Sequence, residues 1–304
     1  MSELLTILLG VMEQGIIYAI MALGIYITYK ILDFPDLTVD GSFPLGAAVT
    51  VALISRGVNP YLTLIISFFV GVIAGIITGI IHVRFKVRDL LSGIIVMTGL
   101  YTVNLRIAGS ANVPIFSKET IFDNEFLNNL IPESLLTYKT LIVVILVAIV
   151  SKVLLDAYLK TKSGYLLRAV GDNSTLVTSL AKDSGMVKIL GLAIANGLVA
   201  LSGCVLCQQQ RYFDVSTGTG TMVLGLASVI IGINLLKNVT FIKPTTAVII
   251  GSILYKLCVA LAIKCNLSAN DMKLVTAILF LVILIISMDR KKKVKKNASI
   301  KKYQ

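Results

Sequence analysis

Charge is scarce in this chain. Asp, Glu, Lys and Arg make up 14% of its 304 residues, against about 25% in an ordinary soluble domain. So few charges cannot cover a soluble surface of this size. That argues against a soluble enzyme, a disordered chain and a nucleic-acid-binding domain. Tryptophan is absent and histidine occurs once. His82 stands beside Arg84, Lys86 and Arg88 and reads as an interfacial residue, not as a ligand or base. No Ser/His or paired-Asp constellation of usable spacing is present, which argues against an intramembrane enzyme. Cysteine occurs four times, as Cys204, Cys207, Cys258 and Cys265. Cys204-x-x-Cys207 has the spacing of a redox or zinc pair, but it lies in an apolar run with no histidine nearby. Thiols in such a run read as small core residues. The phosphate-cradling sequence Gly-x-x-x-x-Gly-Lys-Ser/Thr is missing, so any nucleotide hydrolysis falls to another chain.

Apolar residues are abundant instead, at 56% of the chain, with a mean hydropathy of +0.90. This composition predicts an all-α, polytopic membrane protein. A bilayer core takes about 20 apolar residues per helix. Long apolar runs lie at roughly 4–29, 61–82, 90–108, 138–159, 187–208, 244–263 and 273–288. Two shorter ones lie at roughly 44–55 and 221–236. The expectation is nine transmembrane helices, two of them short. Met1-Ser2-Glu3 offers no basic n-region and no cleavage site, so no cleaved signal peptide is expected.

Basic residues set the expected orientation. Arg84, Lys86 and Arg88 share one loop, and Lys160, Lys162, Arg168, Lys182 and Lys188 another. Lys237 and Lys243 mark a third. Eight basic residues between Arg290 and Lys302 supply most of the net charge of +12. With nine spans all four groups fall on the cytoplasmic side, and the N-terminus falls outside. The 109–137 loop then lies outside, with Glu119, Asp123, Glu125 and Glu133 against Lys118 alone. The basic balance is therefore a positive-inside signal and not a nucleic-acid one. No loop is long enough to bury a core. Residues 1–289 read as one transmembrane domain and 290–304 as a basic cytoplasmic tail.

A weak internal repeat runs through the chain. Asp36-Leu-Thr-Val-Asp-Gly-Ser precedes Leu45-Gly46, and Asp214-Val-Ser-Thr-Gly-Thr-Gly precedes Leu224-Gly225. The two copies fall on opposite sides of the membrane, so the halves would be inverted. Inverted repeats with short, interrupted helices are a transporter signature and point to the substrate path. Asp36, Asp40 and Asp214 read first as helix caps, with ligand contact as the alternative. Asn104, Asn196 and Asn234 read as interhelical hydrogen-bond partners or as pathway residues. Gly71, Gly75 and Gly79 place a smooth packing face on one helix. Glu13 is open between an intramembrane role and a place near the outer interface.

The 160–188 loop reads Thr161-Lys162-Ser163-Gly164-Tyr165-Leu166-Leu167-Arg168-Ala169-Val170-Gly171-Asp172-Asn173. Asp172, Asn173 or Ser174 can cap a short helix over 172–184, and Gly185 can end it. Such a helix on the inner face suits a cytosolic partner. The pattern Gly164-x-x-x-Arg168-Ala169-x-Gly171-x-Asn173, followed by Ala181 and Gly185, resembles the coupling loop of the branched-chain-amino-acid and ribose-type permeases of bacterial ABC importers. Gly15-Ile-Ile-Tyr18-Ala19-Ile-Met-Ala22-Leu23-Gly24 is similar to that family's opening helix, and Asp36-Leu37-Thr38-Val39 fits too. Met97-Thr98-Gly99-Leu100-Tyr101-Thr102-Val103-Asn104 resembles a narrower branch, paired with a lipoprotein-type binding protein and in part associated with aromatic amino acids.

The resemblance implies a permease subunit in the bacterial plasma membrane, moving an amino acid or related solute by alternating access. It implies a second permease protomer, as a homodimer, and an extracytoplasmic substrate-binding protein. A cytosolic ATPase subunit would consume ATP-Mg, with no cofactor in this chain. Gly164, Arg168, Ala169, Gly171, Asp172, Asn173, Ala181, Lys182 and Gly185 would then couple to the ATPase. Asp36, Thr38, Asn104, Asp214 and Ser216 would line the substrate path. A secondary transporter with inverted repeats and the permease of an exporter are the competing readings.

Overall fold

The computed structural model describes residues 3–125, 127, 132–173, 177, 183–237, 239, 241–264 and part of 274–285. Helix α1 (Glu3–Ile25) runs on through a π-helical turn, Tyr26–Ile31. Then follow α2 (Val39–Ser55), α3 (Pro60–Val83), α4 (Asp89–Ala108) and strand β1 (Asn112–Pro114). Next come α5 (Lys139–Leu159), α6 (Lys162–Asp172) and α7 (Ser184–Gln210). Strand β2 (Tyr212–Asp214), the 3-10 turn Val215–Gly218, α8 (Thr221–Leu235) and α9 (Pro244–Lys264) complete the series. Seven helical segments among the described residues are long and apolar enough to cross a membrane, and Val39–Ser55 is a shorter apolar helix. The described residues of the last expected run, between 274 and 285, are helical.

Local chemistry sets several helix ends. Asn59 accepts the Tyr61 N–H at 2.9 Å with Pro60 in the first turn of α3, a favourable start because proline has no N–H to lose there. Gly109, at φ +88°, closes α4 in the left-handed conformation. One start differs from expectation. The short helix begins at Val39, not after Pro44, so Pro44 lies inside α2. Its ring leaves the Asp40 carbonyl without an intrahelical donor, and the Gly218 backbone packs against that carbonyl.

Helix α7 is the spine. Its sequence is rich in Gly, Ala and Ser, and most of its residues are buried. Small residues let helix backbones touch, which is how helices associate when lipid offers no hydrophobic drive. A Cβ on Gly71 would lie 2.4 Å from the Asn196 carbonyl oxygen, and one on Gly75 2.2 Å from that of Leu192. The expected glycine face of α3 is therefore a backbone seam with α7. Gly46 and Gly203 make the same approach between α2 and α7, and Gly24 between α1 and α7. Gly232 and Gly251 do so between α8 and α9. Gly75→Leu is expected to cost about 1–3 kcal/mol by overpacking and to lower the thermal midpoint in detergent. Gly10→Leu, which meets nothing within 4 Å, should melt as the parent does.

The packing is reciprocal between the halves. Helix α7 packs on α2 and α3, and α1 packs on α8 and α9. The ribbon of β1 and β2 joins the halves at one end, pairing Asn112 with Asp214 and Pro114 with Tyr212. Arg211 ends α7 at φ +61°. Its guanidinium meets Asp123 and the Phe116 carbonyl, clamping the loop between β1 and α5 onto α7. At the opposite end Asp156 of α5 accepts from Lys152, Lys243 and Thr245, which ties α5 to the start of α9. Large apolar side chains such as Ile65, Phe69, Ile73, Leu146, Ile149 and Leu154 point outward from α3 and α5, as a bilayer-facing surface requires.

Candidate functional site

Two interrupted helices meet head to head. The N-termini of α2 and α8 converge, and the helices run from there toward opposite ends of the bundle. Asp40, in the first turn of α2, caps the other half's helix. Its Oδ1 accepts from Met222 N–H at 2.8 Å and Thr221 Oγ1 at 3.0 Å, and its Oδ2 from Gly220 N–H at 3.0 Å. A helix N-terminus carries about half a positive charge. Two of them meet here, and one carboxylate offsets both.

Behind this junction lies a buried polar cluster. Asp36 is fully buried; its Oδ1 accepts the Thr38 N–H at 2.9 Å and its Oδ2 the Asn196 amide at 2.7 Å. Ser42 donates to Asn196 Oδ1 at 2.7 Å, and the Thr38 and Thr78 hydroxyls bond at 2.8 Å. The cluster locks the segment before α2 onto α3 and α7. Asp36 thus braces the segment before α2 and does not cap the helix, whose N-cap is Thr38, and Asn196 is an interhelical partner.

A cavity of about 400 Å³ opens in front of the junction, bordered by Asp40, Thr98, Tyr101, Thr102, Asn104 and Thr219. Asn104 is buried and donates to the Gly41 carbonyl at 3.1 Å. Of the five residues expected to line a path, Asn104 borders this cavity. Asp36 and Thr38 stand behind it. Asp214 accepts from the backbone and hydroxyl of Ser216 and caps the 3-10 turn, so this pair lies near the ribbon. The repeat pointed to the junction, but Asp40 as a cap across the halves was missed: its partners are about 180 residues away.

The coupling-loop pattern lies on a helix of its own, α6, opened by Thr161, whose hydroxyl accepts the Gly164 N–H at 3.3 Å. Gly164, Leu167 and Val170 form its buried face, with Ala169 and Gly171 half-buried beside them. A Cβ on Gly164 would lie 2.5 Å from the Tyr158 carbonyl oxygen, and one on Gly171 1.7 Å from that of Ile31. Tyr165, Arg168, Asp172 and Asn173 are exposed, with the Arg168 guanidinium 5.9 Å from the Tyr165 ring centroid. Ala181 and Lys182 lie outside the described residues, as does most of the expected 172–184 helix. Gly185 does not end a short helix. Asp183 caps α7 by accepting from Gly185 and Met186 N–H, so Gly185 sits in the first turn of that long helix. The acid-then-Gly sequence read as a stop is a start.

Other candidates resolve plainly. Glu13 lies within 3.5 Å of Gln209 Nε2, one residue from the end of α7, which puts it near the ribbon end and not at the bundle centre. Cys204 and Cys207 are buried in α7. The His82 Nδ1 meets the Val87 carbonyl at 2.9 Å, at the α3–α4 turn. The π-helical turn before the Asp36 segment had no sequence signal; such turns are frequent at functional sites.

The chain matches the family model described as the permease component of branched-chain amino acid transport systems over residues 7–288. It is 44% identical over 277 residues to a tyrosine transport system permease protein of Clostridioides difficile (strain R20291), covering 91% of this chain and 90% of that one. It is 31% identical over 282 residues to an uncharacterized protein of Rickettsia prowazekii (strain Madrid E), covering 91% and 96%. No solved structure matches it significantly. The match spans nearly every element described above, and the chain belongs to this family: it is the multi-pass permease component of an ABC-type amino acid transport system, a transport subunit and not an enzyme.

Proposed function

We propose that the chain imports tyrosine or a closely related amino acid across the bacterial plasma membrane, as one of two identical permease protomers. The similarity to a tyrosine transport permease supports the substrate class. A separate cytosolic ATPase consumes ATP-Mg, and an external binding protein delivers the solute at the ribbon end. The N-terminus is outside, and the basic tail is in the cytoplasm. Residues 1–289 act as one permease domain.

One contact carries the coupling mechanism. Helix α6 shows Tyr165, Arg168 and Asp172 to the exterior while Gly171 presses backbone to backbone on Ile31. Ile31 ends the π-helical turn, and the chain leads directly from it to Asp36, Thr38 and Asp40. A displacement of α6 by a docked ATPase therefore reaches the half-helix junction through one short segment. Gly164, Arg168, Ala169, Asn173, Ala181, Lys182 and Gly185 belong to the same docking end. Thr98, Tyr101 and Thr102 form an exposed, hydroxyl-bearing face on α4. Thr98 satisfies its hydroxyl on the Ile94 carbonyl at 2.8 Å, whereas the Tyr101 hydroxyl gains from a second protomer or an aqueous path the partners that lipid does not offer.

The test is uptake of labelled L-tyrosine into vesicles holding the permease, its ATPase and its binding protein. Uptake is expected to need ATP and the binding protein, and to survive collapse of ion gradients. Gradient-driven uptake without ATP would instead identify a secondary transporter. ATP-driven efflux without a binding protein would identify an exporter.

A further inference from the structure

The cavity before the half-helix junction is bordered by one acceptor without a donor among the described residues and by a second with room for one more. Asn104 is fully buried, and its Oδ1 has no hydrogen-bond partner among the described residues. A buried acceptor left unpaired costs about 1–3 kcal/mol, so the site is incomplete as it stands. Asp40 Oδ2 receives the Gly220 N–H, and a carboxylate oxygen accepts two bonds. Both residues border the same space of about 400 Å³.

The charge of the site narrows what completes it. Two helix N-termini supply roughly one positive charge between them, and Asp40 cancels it. The wall is therefore close to neutral overall, with acceptors on one side, the hydroxyls of Tyr101 and Thr219 beside them, and apolar Pro44, Met97 and Val215 around the rest. An anion meets a carboxylate already in place, and a lone cation gains no net field. A neutral solute with its own separated charges loses least. An ammonium brings three donors and no acceptor, which is what Asn104 Oδ1 and Asp40 Oδ2 lack.

Resting on the amino acid import reading above, we infer that this cavity is the permease's own solute site, taking the ammonium end of a zwitterionic amino acid on Asn104 Oδ1 and Asp40 Oδ2. The carboxylate end faces the hydroxyls of Tyr101 and Thr219, and the side chain the apolar surface of Pro44, Met97 and Val215. Selection is then not left entirely to the binding protein: the membrane path itself requires an α-ammonium.

The full-length chain in lipid nanodiscs, probed with radiolabelled L-tyrosine, tests this. Tyramine, a lone cation, is expected to compete more weakly than L-tyrosine itself, and 3-(4-hydroxyphenyl)propionate, which lacks the ammonium, about tenfold more weakly than tyramine or worse. Asn104→Leu should weaken L-tyrosine binding by about tenfold. Asn104→Asp keeps the acceptor, adds a charge and should shift preference toward tyramine. Asp40→Asn, which keeps one acceptor for α8, should weaken both ligands. Melting curves verify that each variant is folded. No L-tyrosine binding by the parent, equal competition by the two analogues, or unchanged binding in folded Asn104→Leu and Asp40→Asn would each overturn the assignment. If ATP-driven uptake persists unchanged in those variants, the cavity assignment falls and the import reading stands. If the assembled system moves no amino acid, the import reading falls.

Discussion

Asn196→Leu is expected to be the most damaging single change in the chain. Asn196 is buried and gives its amide to Asp36 Oδ2 at 2.7 Å while taking the Ser42 hydroxyl at 2.7 Å. Leucine offers neither. Asp36 would remain fully buried with a carboxylate oxygen unpaired, and Ser42 with an unsatisfied hydroxyl. Removing one partner of a buried charge costs about 3–5 kcal/mol, a large share of the roughly 5–15 kcal/mol that holds a typical domain together. The expected readout is a marked fall in the thermal midpoint and in the yield of monodisperse protein in detergent. Pairing it with Asp36→Asn separates charge from packing. The double variant should recover part of the loss, because the stranded group is then neutral. If the double variant is as unstable as Asn196→Leu alone, the damage is steric and the electrostatic account is wrong.

Gly171→Ala is expected to have the largest effect on transport. Alanine is the better helix former by about 1 kcal/mol, so α6 itself gains. Its Cβ, however, falls 1.7 Å from the Ile31 carbonyl oxygen, and helix or π-helical turn must shift. ATP-driven uptake should drop about tenfold or more, the scale on which a misplacement near an ångström disables an assembled site. The ATPase should still copurify, because Tyr165, Arg168 and Asp172 are exposed and keep their side chains. Tyr165→Ala should show the converse, with weaker copurification and an unstrained π-helical turn. Loss of copurification in Gly171→Ala would move the residue from transmission to docking.

The parts of this molecule readable from sequence are those whose physics is local. Apolar run lengths found the long helices, and the four-residue spacing of Gly71, Gly75 and Gly79 found the α3–α7 seam. The pattern carried by α6 was recognisable in the sequence, while the short helix expected over 172–184 lies mostly outside the described residues. Asp183-Ser184-Gly185 carries both a cap and a glycine, and only the long apolar run after it decides that the cap wins. Pro44 was read as the boundary of a helix, yet it sits inside one, because Gly218 of the other half shields the carbonyl it frees. Asp40 could be suspected as a cap of its own helix and not of α8, since that pairing exists only after the halves have packed. Asp214 and Ser216 share the motif of Asp36 and Thr38, but the motif's second copy turns toward the ribbon.

Glycine contacts divide the bundle mechanically. Helices α2, α3 and α7 touch through backbone at Gly46, Gly71, Gly75 and Gly203, and α8 and α9 at Gly232 and Gly251. Backbone on backbone leaves no side chain to re-pack, so each group moves as a block. Between α1 and α8 the close contact at Gly225 is instead to the tip of the Ile25 side chain, which can swing aside. A direct polar link between the blocks is Asp40 with its three acceptor bonds to α8, while α1 bridges them through Ser202 on the Ile17 carbonyl and Ser252 on the Gly15 carbonyl. One carboxylate thus works as a latch where the two half-helices meet, and any rocking of one half against the other has to open it.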